Sequence, residues 1–283
     1  MATTPERKNM NWKVALILVL TAVLLVSATG CEKLRARDNL NKGVQAYKNA
    51  QYPLAVGFFK KSVELDPTFP TARLYLATAY MSQYIPGVDS AENTKMADAA
   101  YEEFQKVLQQ DPKSEVAVAS IASLFFNQKK LDEAKLWNEK LVALNPSNKE
   151  AFYTLGVIAW TKTFQPRMEA RAKLGMQPEE PGPLKDKKVK ESLREKSLPV
   201  IEDGIKSLEK ALEIDKDYDD AMAYVNLLHR EKADLMDDAA GFRKETEIAN
   251  DWVQRAMDTR KKKAEGVPMG GLGTEAPPAE AKK

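Results

Sequence analysis

The chain has 283 residues, with 43 lysines and arginines against 41 aspartates and glutamates, one histidine and one cysteine. A balance this even, with both signs interspersed, gives little electrostatic reason to expect nucleic-acid binding. A single cysteine excludes an intramolecular disulfide, and one histidine with one cysteine leaves too few ligands for a zinc site, so neither metal nor cofactor is expected.

Arg7, Lys8 and Lys13 precede the apolar run 14–26, and Ser27-Ala28-Thr29-Gly30-Cys31 follows it. A positive segment, an apolar segment and small residues before a cut are the parts of a secretory signal. Together they resemble a bacterial lipoprotein signal with its lipobox, in which the Cys31 thiol takes a diacylglycerol through a thioether. Gly30 and Ala28 are small enough for a signal peptidase, although Ala28 stands where leucine is usual. The resemblance implies a signal peptide over 1–30, palmitate-type acyl chains on Cys31 and a short tether over 31–35. Glu32 is not the aspartate of an inner-membrane retention signal, so the expected location is the bacterial cell envelope, on the periplasmic face of the outer membrane. Two other readings stay open: an uncleaved anchor helix, although 14–29 falls a little short of the roughly 20 apolar residues that span a bilayer, and plain secretion after a cut near Ala28.

Beyond the signal lie about 250 residues, ample for a core. Four segments close alike: Glu64-Leu65-Asp66-Pro67, Gln109-Gln110-Asp111-Pro112, Ala143-Leu144-Asn145-Pro146 and Glu213-Ile214-Asp215-Lys216, each followed five residues on by alanine (Ala72, Ala117, Ala151, Ala221). Pro112 and Pro146 are 34 residues apart, and the other two spacings, 45 and 70, leave room for one insertion each. Small residues recur at Gly43, Ala77, Ala122 and Gly156, with Tyr80 and Phe125 three beyond the second and third. Ala55, Ala100 and Ala134 are followed four residues on by Phe59, Phe104 and Asn138.

This period and these residues resemble the tetratricopeptide repeat (TPR), a pair of antiparallel helices A and B per unit. The resemblance implies an all-α fold, a TPR α-solenoid of about five helical hairpins over 36–263. Inserts are expected at about 83–95 and about 164–196, and the tail 264–283 is too polar to fold. Lys216 departs from the pattern where proline is expected, as do Asn226 in a small place and Gly204 in an alanine place. Repeat 5 is the most degenerate, with its helix B expected around 246–261.

In such an array the A helices line a groove. The resemblance assigns to its partner-facing places Tyr47, Met81, Phe126, Tyr153, Trp160 and Arg230, among mostly apolar neighbours such as Leu40, Leu74, Val116 and Val157. Tyr153 and Trp160, seven apart, share a helix face, and large aromatics are frequent interface anchors. The competing reading packs these rings against the neighbouring repeat. No ladder of Lys, Arg and Asn resembles the carboxylate-clamp subtype, which is rejected. The second insert carries Arg167, Arg171, Lys173, Lys185, Lys187, Lys188, Lys190, Arg194 and Lys196, with Glu169, Glu179 and Glu180 as a partial balance. It reads as a solvated helical hairpin, a disordered linker, or a contact for anionic lipid or an acidic partner.

Nothing marks an enzyme. His229 occupies an aromatic's place and reads as a packing residue. Gly270-Gly271-Leu272-Gly273 lies in the tail with no strand before it, and Glu102-Glu103 and Asp219-Asp220 read as solvated helix faces. The expected function is a membrane-tethered, non-catalytic protein–protein interaction scaffold that captures a segment of an unknown envelope protein, as in outer-membrane or pilus/secretion assembly. The alternative is a periplasmic or surface accessory that binds peptide or glycan for uptake or wall processing.

Overall fold

The computed structural model describes residues 12–178 and 180–266, with side chains from residue 30 on; Arg7, Lys8 and the tail from residue 267 lie outside them. Among the described residues there are ten α-helices and no strand: α1 (Trp12–Lys48), α2 (Tyr52–Leu65), α3 (Pro70–Met81), α4 (Ala91–Gln110), α5 (Glu115–Asn127), α6 (Leu131–Leu144), α7 (Lys149–Lys173), α8 (Lys187–Ile214), α9 (Asp219–Ala233) and α10 (Ala239–Gly266). In chain order they take the places of the A and B helices of five repeats. Residues up to Lys130 form one compact unit and those from Leu131 a second. In the first unit each helix packs on the next from α1 to α5, and the A helices touch as α1 on α3 and α3 on α5. In the second unit the same order runs from α6 to α10, and α7 touches α9.

α1 runs unbroken through Cys31 into the first repeat. Residues 30–35 are all exposed, and Ala36 is the first buried side chain among those described. Its carbonyl accepts from the buried Ser62 hydroxyl at 2.7 Å, which locks the start of the repeat onto α2.

The four repeated closures are one turn built four times. Asp66, Asp111, Asn145 and Asp215 each cap a B helix, and a side-chain oxygen of each accepts from the N–H two residues on, at 3.0–3.1 Å. Such side-chain turns stop a helix without proline's help. That explains why Lys216 is tolerated in a proline place: the aspartate before it makes the turn. In the A–B turns of repeats 1 and 3, Ala50 and Lys129 take φ of 57° and 58°. Each is followed by an N–H (Gln51, Lys130) that reaches back to a helical carbonyl at 2.9–3.0 Å, the hydrogen-bonded closure that helix C-termini favour.

Small residues sit where helices A and B meet. A Cβ on Gly43 would fall 2.4 Å from the Phe59 ring, one on Gly156 2.3 Å from Leu208, and one on Gly204 2.5 Å from the Ala159 methyl. Gly204 in an alanine place is therefore required by a closer helix approach. In repeat 3, Asn138 occupies a bulky place and is buried, its amide donating to the Ala134 carbonyl at 2.8 Å.

Both inserts are structured. The first is the loop between α3 and α4, and it also supplies the first turn of α4, which starts at Ala91. The buried Asn93 organises it, accepting from the Ile85 N–H at 2.7 Å and donating to the Ile85 and Val88 carbonyls at 2.8 and 2.7 Å. The second insert lengthens α7 at its end and α8 at its start, with a loop between them, so the helical hairpin is the form it takes. It is not simply solvated: Lys173, Lys185, Lys187, Lys188 and Lys196 are exposed, but Arg171 and Lys190 are buried and Arg167 is nearly so. α10 is longer than expected at both ends, with Ala249 and Ala256 buried. It carries 264–266 as helix, so those residues are not part of an unfolded tail.

Candidate functional site

In the second unit, α7 and α9 present a row of aromatic rings. Tyr153 meets Tyr218 at 5.1 Å and Tyr224 edge-on at 5.5 Å; Trp160 meets the same Tyr224 at 5.6 Å and Phe164 at 4.9 Å. The sequence spacing that put Tyr153 and Trp160 on one face is thus realised, with Tyr224 wedged against both. The rings pack against the next repeat, the second of the two expected roles, and each is half-buried. Burial, then the neighbouring Tyr224 and Asp220, raises the Tyr153 hydroxyl above its ordinary range. Burial, then Glu150 and Asp220, pushes Tyr218 up to about 12. Both are therefore neutral hydroxyls at physiological pH. The Trp160 indole N–H is buried with no acceptor among the described residues.

Arg230, near the end of α9, lies apart from these rings and is exposed. Its Nε donates to the Asn226 side-chain oxygen at 2.9 Å and its Nη2 to that of Asn250 at 2.8 Å. In the first unit, Tyr47 is half-buried against Tyr52 at 5.2 Å, its hydroxyl 2.8 Å from that of Ser82, the residue after Met81. Met81 and Phe126 are half-buried on their own helices. Cys31 is exposed on α1.

Below the aromatic row, the second insert builds a charge network. Arg167 donates to Glu231 at 2.8 Å and to Asp234 at 2.9 Å; Arg171 donates to Asp234 at 2.8 Å and to the carbonyls of Gln177 and Glu180. Arg171 and Asp234 are each only 2% exposed. Lys190 donates to the carbonyls of Met236 and Asp237, and Arg194 pairs with the Asp237 carboxylate at 2.7 Å. Burial pushes Glu231 up to about 7 despite the opposing pull of Arg167. The network ties the inserted hairpin to the turn between α9 and α10. Sequence reading missed it, having weighed the basic stretch only against Glu169, Glu179 and Glu180; the acidic run around residues 231–238 was the available signal.

His229 is buried, as a packing residue should be, but its Nδ1 also lies 2.7 Å from a Glu245 carboxylate oxygen, and Lys232 approaches the same carboxylate at 3.4 Å. Two acidic pairs are less solvated than expected. Glu103 is held by Arg73 and Lys106 at 2.7 Å each. Asp219 is bound by Lys263 and Arg260, which pull its carboxyl down to about 2. Among the described residues, no group of three or more metal-ligating side chains is placed to hold an ion.

No family model matches the sequence, and no curated protein matches it. Solved structures do. The crystal structure of the MamA protein is 18% identical and superposes with a TM-score of 0.55, covering 82% of this chain and 95% of that one. MamA from Desulfovibrio magneticus RS-1 is 15% identical with a TM-score of 0.54, over 81% of this chain and 96% of that one. YrrB, described as a TPR protein with an unusual peptide-binding site, is 14% identical with a TM-score of 0.52, over 86% and 97% of the two chains. The fold of this chain is that of the tetratricopeptide repeat.

Proposed function

We propose that the protein is a non-catalytic interaction scaffold, held to the membrane of a bacterial envelope by lipid on Cys31, which captures an extended segment or helix of another envelope protein across α7 and α9. The observation that carries capture is the half-buried row formed by Tyr153, Tyr224, Trp160 and Phe164. Its rings are fixed by mutual packing before a partner arrives, so little side-chain entropy is lost on binding. Helix pairs of this fold serve as peptide platforms in general terms, and the peptide-binding site described for YrrB supports the same use here. Tethering rests on the signal-like N-terminus together with an exposed Cys31, five residues ahead of the first packed side chain. The periplasmic face of the outer membrane is the location that Glu32 favours.

Site-specific photo-crosslinking in native cells tests capture. A photoreactive residue at Trp160 is expected to trap one defined protein, whereas the same residue at the exposed Lys106 of α4 traps none. Equal crosslinking at both sites, or none at Trp160, removes the aromatic row as the binding surface.

A further inference from the structure

The first insert forms an apolar knob. Ile85 is 59% exposed and Val88 47%, two aliphatic side chains together at the tip of one loop. The loop is held firmly. Gly87 takes a φ of 82° to make the turn, and the buried Asn93 side chain binds the Ile85 N–H and the Ile85 and Val88 carbonyls. A tip fixed in this way is prepared for contact, because little freedom remains to be lost. Beside it, Asp89, Glu92, Asp98 and Glu102 are exposed, and among the described residues none of them forms an ion pair. Asp89, Asp98 and Glu102 line a hollow of about 550 Å³ along α4, with Lys95 as the cation there.

The second unit carries a cavity of the opposite character. It holds about 450 Å³ among α6, α7 and α8, with Phe152, Leu155, Pro199 and Val200 on its apolar walls. Lys135, Lys162, Lys206 and Lys210 stand around it, against two carboxylates, Glu139 and Asp203. Lys135 pairs with Glu139, Lys162 with Asp132 and Lys210 with Glu213, exposed pairs that contribute little. Lys206 makes no ion pair among the described residues.

The spacings also agree. Lys206 and Lys210 are four apart on α8, as Asp98 and Glu102 are on α4. Each pair spans one turn, about 6 Å of rise, so the two helices lying side by side bring both pairs into register. Val200 stands six residues ahead of Lys206, and Ser90, the cap of α4 beside the knob, stands eight ahead of Asp98. The parallel arrangement that pairs the charges therefore brings the knob to the Pro199–Val200 end of the cavity.

We propose that this cavity receives the first insert of a second copy of the chain, with Ile85 and Val88 seated at Pro199 and Val200 and the acids of α4 against Lys206 and Lys210. An anionic membrane surface would answer the lysines and leave the acids unpaired. Two copies that exchange inserts form a dimer, and copies that pass them on form a ring or filament; both use the same contact. It runs from Ile85 to Glu102 and stops one turn short of Lys106. It uses neither the aromatic row nor Cys31, so capture and anchorage stand without it.

Sedimentation velocity of the full chain in detergent, over a concentration series at low and high salt, tests the contact. The wild type is expected to self-associate, and less so at high salt. Ile85→Ser with Val88→Ser, and separately Lys206→Glu with Lys210→Glu, alter exposed side chains only, and each pair is expected to weaken association at least tenfold. Asp98→Lys with Glu102→Lys is expected to do the same. The chain that carries both charge reversals is expected to associate again, which a misfolded variant cannot do. A wild type that stays monomeric at every concentration overturns the proposal. Association indifferent to all three pairs of substitutions belongs to another surface or to the apolar run 14–26, and overturns it equally. Loss without recovery in the doubly reversed chain overturns the pairing of α4 with α8.

Discussion

At the scale of single residues, this chain is governed by where a methyl group fits. Gly156 faces the fully buried Leu208 across the α7–α8 contact, and a Cβ there would overlap the branch point of that side chain, not its mobile end. Gly57, on the exposed side of α2, has open space around it. Both are helical glycines, so alanine offers each about 1 kcal/mol of helix propensity. At Gly156 that gain is outweighed by overpacking of about 1–3 kcal/mol, because the added Cβ meets the fully buried Leu208 at its branch point. Denaturant titration is expected to show Gly57→Ala raising stability by up to about 1 kcal/mol and Gly156→Ala lowering it by about 2 kcal/mol. A stabilising Gly156→Ala would mean that helices α7 and α8 are not in close contact there.

At the scale of elements, the inserted hairpin is held by charges, and its stability follows pH in a definite direction. Glu231 keeps its proton up to about pH 7 in the folded chain, against 4.5 when free. Below about pH 4.5 both states are protonated and folding carries no penalty. As pH rises toward 7 the unfolded chain releases the proton and the folded chain does not, so stability falls; above about 7 the loss is complete and flat, on the order of 3 kcal/mol. Glu231→Gln keeps an acceptor for Arg167 and removes the titration. Thermal unfolding is expected to show the wild type losing stability between pH 5 and 7.5 and the variant nearly level across that window. Parallel curves would place the titrating group elsewhere. This network also marks the limit of sequence reading. The repeated side-chain turns were legible because each acts two positions from its partner, and the small residues because they recur at the same place in successive repeats, although their partners sit on another helix. Arg171 and Asp234 are 63 residues apart, and a sequence gives the charges without saying which of them meet. Likewise Asn226 reads as a mere departure until Arg230 is seen bound to it, and Tyr153 and Trp160 were reached through the repeat resemblance while Tyr224, which joins them, was not.

At the scale of the whole molecule, the proposed tether stands or falls on Cys31, because no other thiol can carry lipid. Two or more acyl chains give stable anchorage, each buried methylene contributing about 0.8 kcal/mol, whereas one chain holds only marginally. An exposed cysteine ahead of the packed repeats can be modified without disturbing any buried contact. Cells fed a clickable palmitate analogue are expected to label the wild-type protein, which fractionates with membranes and has lost its first 30 residues by mass. Cys31→Ala is expected to carry no label and to retain those residues. An unlabelled wild-type protein of full length, still in the membrane fraction, would instead make the apolar run 14–26 a permanent anchor. An unlabelled, shortened and water-soluble protein would mean ordinary secretion, and the scaffold would then meet its partner without a tether.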